Sequence, residues 1–236
     1  MRREHALARA SITVVGDVDE LRVKKLSESF LAAVSPPVDH PIGPHPRDER
    51  LTIEDSVPGA RLLVGWIGPG EGEVGDASLR VAIECLEDAK IGLLAKMLGD
   101  VASSARADLE VWPRASVATI EVAPAHDPAD ALHRLEAELA KLADEGPDAS
   151  AVAMAKWLLH ARLQKEKTTV KDGGLAGAVH SAGLVKLRHA LRPWAGDRAS
   201  KALDEVTVAS VRAAVKRVLS SDHRVVVITR PKGQGG

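Results

Sequence analysis

The stretch whose pattern comes nearest to chemistry is Gly70-Glu71-Gly72-Glu73-Val74-Gly75, which fits G-x-G-x-x-G between a strand-like and a helix-like segment. Such a loop cradles phosphate when its amides are bare and the next helix offers a positive terminus. Here two glutamates sit in the loop and Asp76 stands at the expected N-cap. The preceding strand also reads as half of a hairpin, whereas a dinucleotide fold needs a parallel crossover. A nucleotide-binding module through residues 68–75 is thus an alternative to a plain, flexible connecting loop. His40 and His45 could share a metal, but Pro41, Pro44 and Pro46 interrupt them and no Cys or third His is near. A solvated linker is the simpler account. Cys85, the only cysteine, lies among apolar helix residues. A catalytic thiol needs a cationic, partly open setting, so an inert core thiol is expected.

Other reactive or sticky residues are scattered. Lys165-Glu166-Lys167 reads as the solvated end of a helix, and Lys186-Leu187-Arg188-His189 as an exposed basic patch. Trp66 and Trp157 read as core. Trp112, beside Pro113 at a hairpin tip, is a candidate partner contact. Arg106 falls on the polar side of a strand, where a solvated role is expected.

Composition narrows the classes. The chain has 236 residues, a net charge of -1, one Phe, four Trp and no Tyr. Its length suits one large domain or a domain with an appendage. Near-neutral, interspersed charge gives no footprint for nucleic acid or an anionic membrane. One cysteine cannot close an internal disulfide. No apolar run reaches spanning length, and the residues after Met1-Arg2-Arg3 do not read as a signal peptide.

The elements that would position these residues follow from periodicity. Thr207 is an expected N-cap, and Val208, Val211, Val215, Val218 and Leu219 recur at helical spacing. Arg224 to Thr229 then forms a β-branched strand. Arg2 to Asp17 repeats this helix–strand unit near the other end, which suggests the tail of one domain before a complete second one. Asp17 and Glu20 have capping-box spacing for the next helix, and 35–50 is a Pro-rich linker. Leu51 to Val57 alternates, with Leu51, Ile53 and Val57 expected inward. Arg61 to Ile67 follows across Pro58-Gly59, and the short join predicts an antiparallel hairpin. Asp76 opens a helix, broken near Lys90-Ile91-Gly92. Ser104 to Val111 and Ser116 to Val122 make a second pair of strands. Asp127-Pro128 starts a helix ended by Gly146-Pro147, and Asp148 opens a long one to about Lys167. Asp172 to Arg192 is helical but Gly-rich, and a short helix covers Arg198 to Asp204. The expected architecture is α+β: a mostly antiparallel sheet with helices packed on one face. Residues 1–34 are expected to end a preceding domain, 35–50 to link, 51–231 to form a complete domain and 232–236 to be a tail.

These pieces, in this order, resemble a known family. ITVVGDVDELRVKKLSESF, the Pro-rich linker, the segment ending VGWIGP, the helix pair after Asp76 and LDEVTVASVRAAVKRVLSSDHRVVVITRP resemble the second half of a pitrilysin/insulinase-type zinc peptidase subunit. That group includes mitochondrial processing peptidase. The resemblance implies two similar α+β domains per subunit, with H-x-x-E-H on a helix of the first. None of the nine His here pairs with another at four residues with a Glu before the second. No catalytic or metal-binding residue is therefore expected in this chain, and zinc is expected only in a partner or missing domain. The family's second domain also grips substrate with an Arg, which would fall near Gly92-Leu93, and a Tyr, which would fall near Ser103-Ser104. Neither is present. Ser103, Ser104, Arg106 and Trp112 remain as candidate substrate or partner contacts. The implied role is a non-catalytic chamber wall working with a metal-bearing peptidase domain or subunit and a peptide substrate, as a homo- or hetero-dimer. The alternative is a fragment of an active zinc endopeptidase, truncated or mis-started at Met1.

Overall fold

The computed structural model describes residues 19–31, 49–87, 92–112, 114–172 and 197–232. The chain divides into two units, Met1–Pro44 with Arg162–Gly196 and His45–Ala161 with Asp197–Gly236. Several expectations fall outside the described residues: the Arg2–Asp17 helix–strand unit, most of the linker with His40 and His45, Lys90, the Gly-rich helix after 172, Lys186 to His189 and Trp194.

In the first unit, α1 spans Glu20–Leu31. Its cap is Asp19, whose carboxylate accepts from the amides of Leu21 (2.9 Å) and Arg22 (3.3 Å). That places the capping side chain two residues after Asp17.

The second unit carries a five-stranded sheet: β1 (Glu49–Asp55), β2 (Arg61–Gly68), β3 (Ala102–Val111), β4 (Ser116–Pro124) and β5 (Arg224–Pro231), in the order β1-β5-β2-β4-β3. Three of its four pairings are antiparallel, and β1 with β5 is parallel. The helices are α2 (Asp76–Glu87), α3 (Leu93–Leu98), α4 (Pro128–Glu145), α5 (Ala149–Asp172, in this unit as far as Ala161), α6 (Asp197–Asp204) and α7 (Val208–Val218). The α+β class is as the periodicity predicts.

Alternate residues of the central strands make the core. Leu62, Val64 and Trp66 of β2, Ala118, Ile120 and Val122 of β4 and Val226 of β5 are buried. Leu79, Ile83 and Leu86 of α2, Leu132, Leu135 and Leu139 of α4, and Val211, Val215 and Val218 of α7 are buried with them. With few aromatic rings, this core rests on many aliphatic contacts, each worth little alone. Trp66 is its largest member, and its indole Nε1 donates to the Ser220 carbonyl at 2.9 Å. Local signals set the helix ends. Asp127 accepts from the Ala129 amide, with Pro128 at the first helical position. Gly146, at φ 79°, ends α4. The Thr207 hydroxyl accepts from Ser210 N while Ser210 Oγ accepts from Thr207 N, a reciprocal box that opens α7.

The structure corrects four expectations. β1 and β2 are not a hairpin: β5 lies between them, hydrogen-bonded to both. The short join constrains only the directions of β1 and β2, and it spans the width of one intervening strand. The faces of β1 are also reversed. Its register sets Leu51 beside Val227 and Ile53 beside Thr229, while Thr52 lies beside Ile228 in the row that faces the helices. Leu51 is therefore 54% exposed and Ile53 40%. Arg50, in the helix-facing row, reaches Glu136 of α4 at 3.7 Å. Alternation tells which residues share a face, but not which face is covered. Third, Trp157 is 63% exposed on α5 rather than core. Fourth, α5 runs to Asp172, so Lys165 to Lys167 lie within the helix and do not end it.

Candidate functional site

β3 is one edge of the sheet, and its first turn of chain holds three of the four candidate contacts. A register shift between Ala102 and Ser104 leaves Ser103 as the extra residue of a bulge, and its hydroxyl donates to the Ala123 carbonyl at 3.0 Å. Ser104 is exposed and pairs with Ala123; Arg106 pairs with Glu121 on the face away from the helices. The Arg106 side chain is 69% exposed, and its Nε lies 3.9 Å from Glu87 Oε1. Trp112 is nine residues beyond Ser103, about 30 Å along an extended strand. The structure thus groups Ser103, Ser104 and Arg106 and leaves Trp112 at the far end.

Glu87 is the site residue that sequence reasoning missed. It closes α2, where the helix dipole disfavours a carboxylate. Its Oε2 accepts from the Ala107 amide at 2.7 Å. Residues of an edge strand alternate between bonding inward and pointing outward. The Glu87 carboxylate therefore stands where the carbonyl of an added strand would bond. The only signal in the sequence was an acidic residue at a helix C-terminus.

Trp112 belongs to a different cluster. It is 47% exposed, and its carbonyl accepts from the Glu71 amide at 3.0 Å, which fastens the hairpin tip to the Gly-rich loop. That loop is closed on itself. The Gly70 amide donates to Glu73 Oε2 at 3.0 Å and the Gly72 amide to Asp76 Oδ2 at 2.9 Å. Asp76 is the first residue of α2, held by Arg80 Nε at 2.8 Å, so it serves the loop and not as a preceding cap. Arg217 donates to the Val74 carbonyl at 2.9 Å. Gly75 has φ 96°, and a β-carbon there would collide with the Arg217 guanidinium. The amides a phosphate would need are held by the loop's own carboxylates, so the arrangement does not favour the nucleotide alternative.

Elsewhere, His160 of α5 contacts Asp204 through Nε2 (3.0 Å) and Ser200 through Nδ1 (3.2 Å). Lys156 donates to the carbonyls of Asp204 (2.8 Å) and Val206 (2.9 Å). Ser200 does not line the adjacent cavity of about 470 Å³. The cluster ties α5 to α6 and to the turn before α7. A second cavity, of about 570 Å³, lies between α4 and α7 over Trp66, with Arg224 at one end. Cys85 is buried. Among the described residues, no three His, Cys, Asp or Glu side chains converge to hold a metal ion, and no helix is long and apolar enough to cross a membrane.

Comparison with other proteins places this fold. Residues 5–159 match the family described as peptidase M16 inactive domain, so the chain belongs to that family. Among solved structures, a peptidase M16 inactive domain from Pseudomonas fluorescens is 18% identical, with TM-score 0.68, over 92% of this chain and 52% of that one. An M16-like peptidase from Alicyclobacillus acidocaldarius is 21% identical, with TM-score 0.66, over 92% and 53%. A protease from Helicobacter pylori is 15% identical, with TM-score 0.66, over 92% and 54%. The chain thus spans about half the length of these structures. No curated protein matches.

Proposed function

We propose that this chain is a non-catalytic wall and scaffold that completes a peptide chamber with a metal-bearing peptidase domain or subunit. The observation that carries this reading is the match to an inactive peptidase domain in a chain half as long as its structural relatives. In this reading the side chains of Ser103, Ser104 and Arg106 contact the peptide without adding it to the blunted edge of β3, and Trp112 contacts the partner. The open face of the sheet supports it, since Leu51, Ile53, Leu63 and Ile67 are all exposed there. Apolar residues grouped on one face mark an interaction surface. Residues 1–34 are proposed to end a preceding domain, with 35–50 as the linker.

The test is reconstitution. The purified chain alone is expected to hold no stoichiometric zinc and to cleave no peptide. Adding an H-x-x-E-H subunit encoded beside it should raise that subunit's peptide cleavage severalfold. One tightly held zinc per chain, with peptide cleavage by the chain alone, would overturn the proposal. A second reading, a fragment of an active zinc endopeptidase, draws on the same half-length coverage. An in-frame H-x-x-E-H segment in the DNA upstream of Met1 would favour it.

A further inference from the structure

We propose that β1 is a dimerisation edge, along which two copies of this chain pair β1 with β1, antiparallel about a two-fold axis at Thr52. This does not rest on the scaffold reading, because the contact can form whether or not a metal-bearing partner exists. Among the described residues the only strand that pairs with β1 is β5, and all seven residues of β1 are exposed, Arg50 also reaching Glu136. The sheet's two edges differ. β3 is blunted by a bulge at Ser103 and by Glu87 on the Ala107 amide. β1 pairs with β5 over seven positions with no register shift, so its other side is a regular strand edge. Regular edges of this kind accept another strand.

The partner follows from the residues. Glu49-Arg50-Leu51-Thr52-Ile53-Glu54-Asp55 is self-complementary when reversed about Thr52. Arg50 of each copy faces Glu54 of the other, Leu51 faces Ile53, and Thr52 faces Thr52. Opposite charges and aliphatic pairs directly across from each other stabilise strand pairing. The like-charged Glu49 and Asp55 meet only at the ends, where solvent and salt screen them. Sliding the register by two residues sets Glu49 against Ile53 or Leu51 against Asp55, which loses the match. A two-fold axis requires a patch complementary to itself, and this strand is one. The same axis joins the two exposed Leu51–Ile53 strips into one apolar band.

Sedimentation of the full 236-residue chain over a concentration series tests this. The expected result is a monomer–dimer equilibrium. Arg50→Glu and Glu54→Arg should each weaken association at least tenfold, because each sets like charges across both ends. The double exchange should restore it. Thr52→Cys should give a disulfide-linked dimer on mild oxidation, with Cys85 buried and unavailable. Circular dichroism separates loss of pairing from loss of fold. A monomer at every concentration, or single variants that weaken association without recovery in the double exchange, would overturn the proposal.

Discussion

At the scale of single residues, Glu136 shows how unequally two ion pairs can count. Its Oε1 lies 2.8 Å from Arg224, whose side chain is 5% exposed, and 3.7 Å from Arg50, whose side chain is 58% exposed. The first is a close contact between opposite charges with one partner buried. Removing the carboxylate takes one close partner from a buried guanidinium, whereas the exposed pair is screened. Glu136→Gln is therefore expected to lower unfolding free energy by more than loss of the exposed pair does. Arg50→Ala should cost under about 1 kcal/mol. Denaturant midpoints at constant slope check both. Neither Glu136 nor Glu87 could be read from the sequence as a contact residue. Each is an acidic residue on a helix whose partner lies 20 or more positions away, and local spacing carries no trace of such a pair.

At the scale of elements, the local signals were legible. Thr207, Asp127 with Pro128 and Gly146 act within a few residues of themselves, and each ends or opens a helix where its chemistry says it should. Thr207→Ala removes the acceptor for Ser210 N and is expected to cost about 1 kcal/mol, measured by thermal or chemical unfolding. The start of β3 was legible as a candidate site only through family resemblance, since two serines and an arginine on a strand have no chemistry of their own. Strand order was not legible. Leu51 and Ile53 alternate correctly, yet a period of two is the same whichever face is covered. Which face that is depends on β5, more than 160 residues away. Trp157 failed for a related reason: a large apolar residue on a helix is usually buried, but α5 turns that position outward.

At the scale of the whole molecule, the chain belongs to the peptidase M16 inactive-domain family, and its second unit is built on a five-stranded sheet. Its sheet depends on its last strand. β5 bonds to β1 on one side and β2 on the other, so without it those two strands have no common neighbour. For a chain emerging from the ribosome, this sets the order of events. The β3–β4 hairpin and its union with β2 can form early, but β1 must wait for Arg224–Pro231, the last of the five strands, before it has the strand it pairs with. Such distant pairing slows folding and leaves unpaired edges exposed in the interval. A chain ending before Arg224 is expected to lack cooperative unfolding and to be cut rapidly by protease, while the full chain resists. A growing chain of this kind therefore has most to gain from a chaperone in the interval between the emergence of β1 and that of β5.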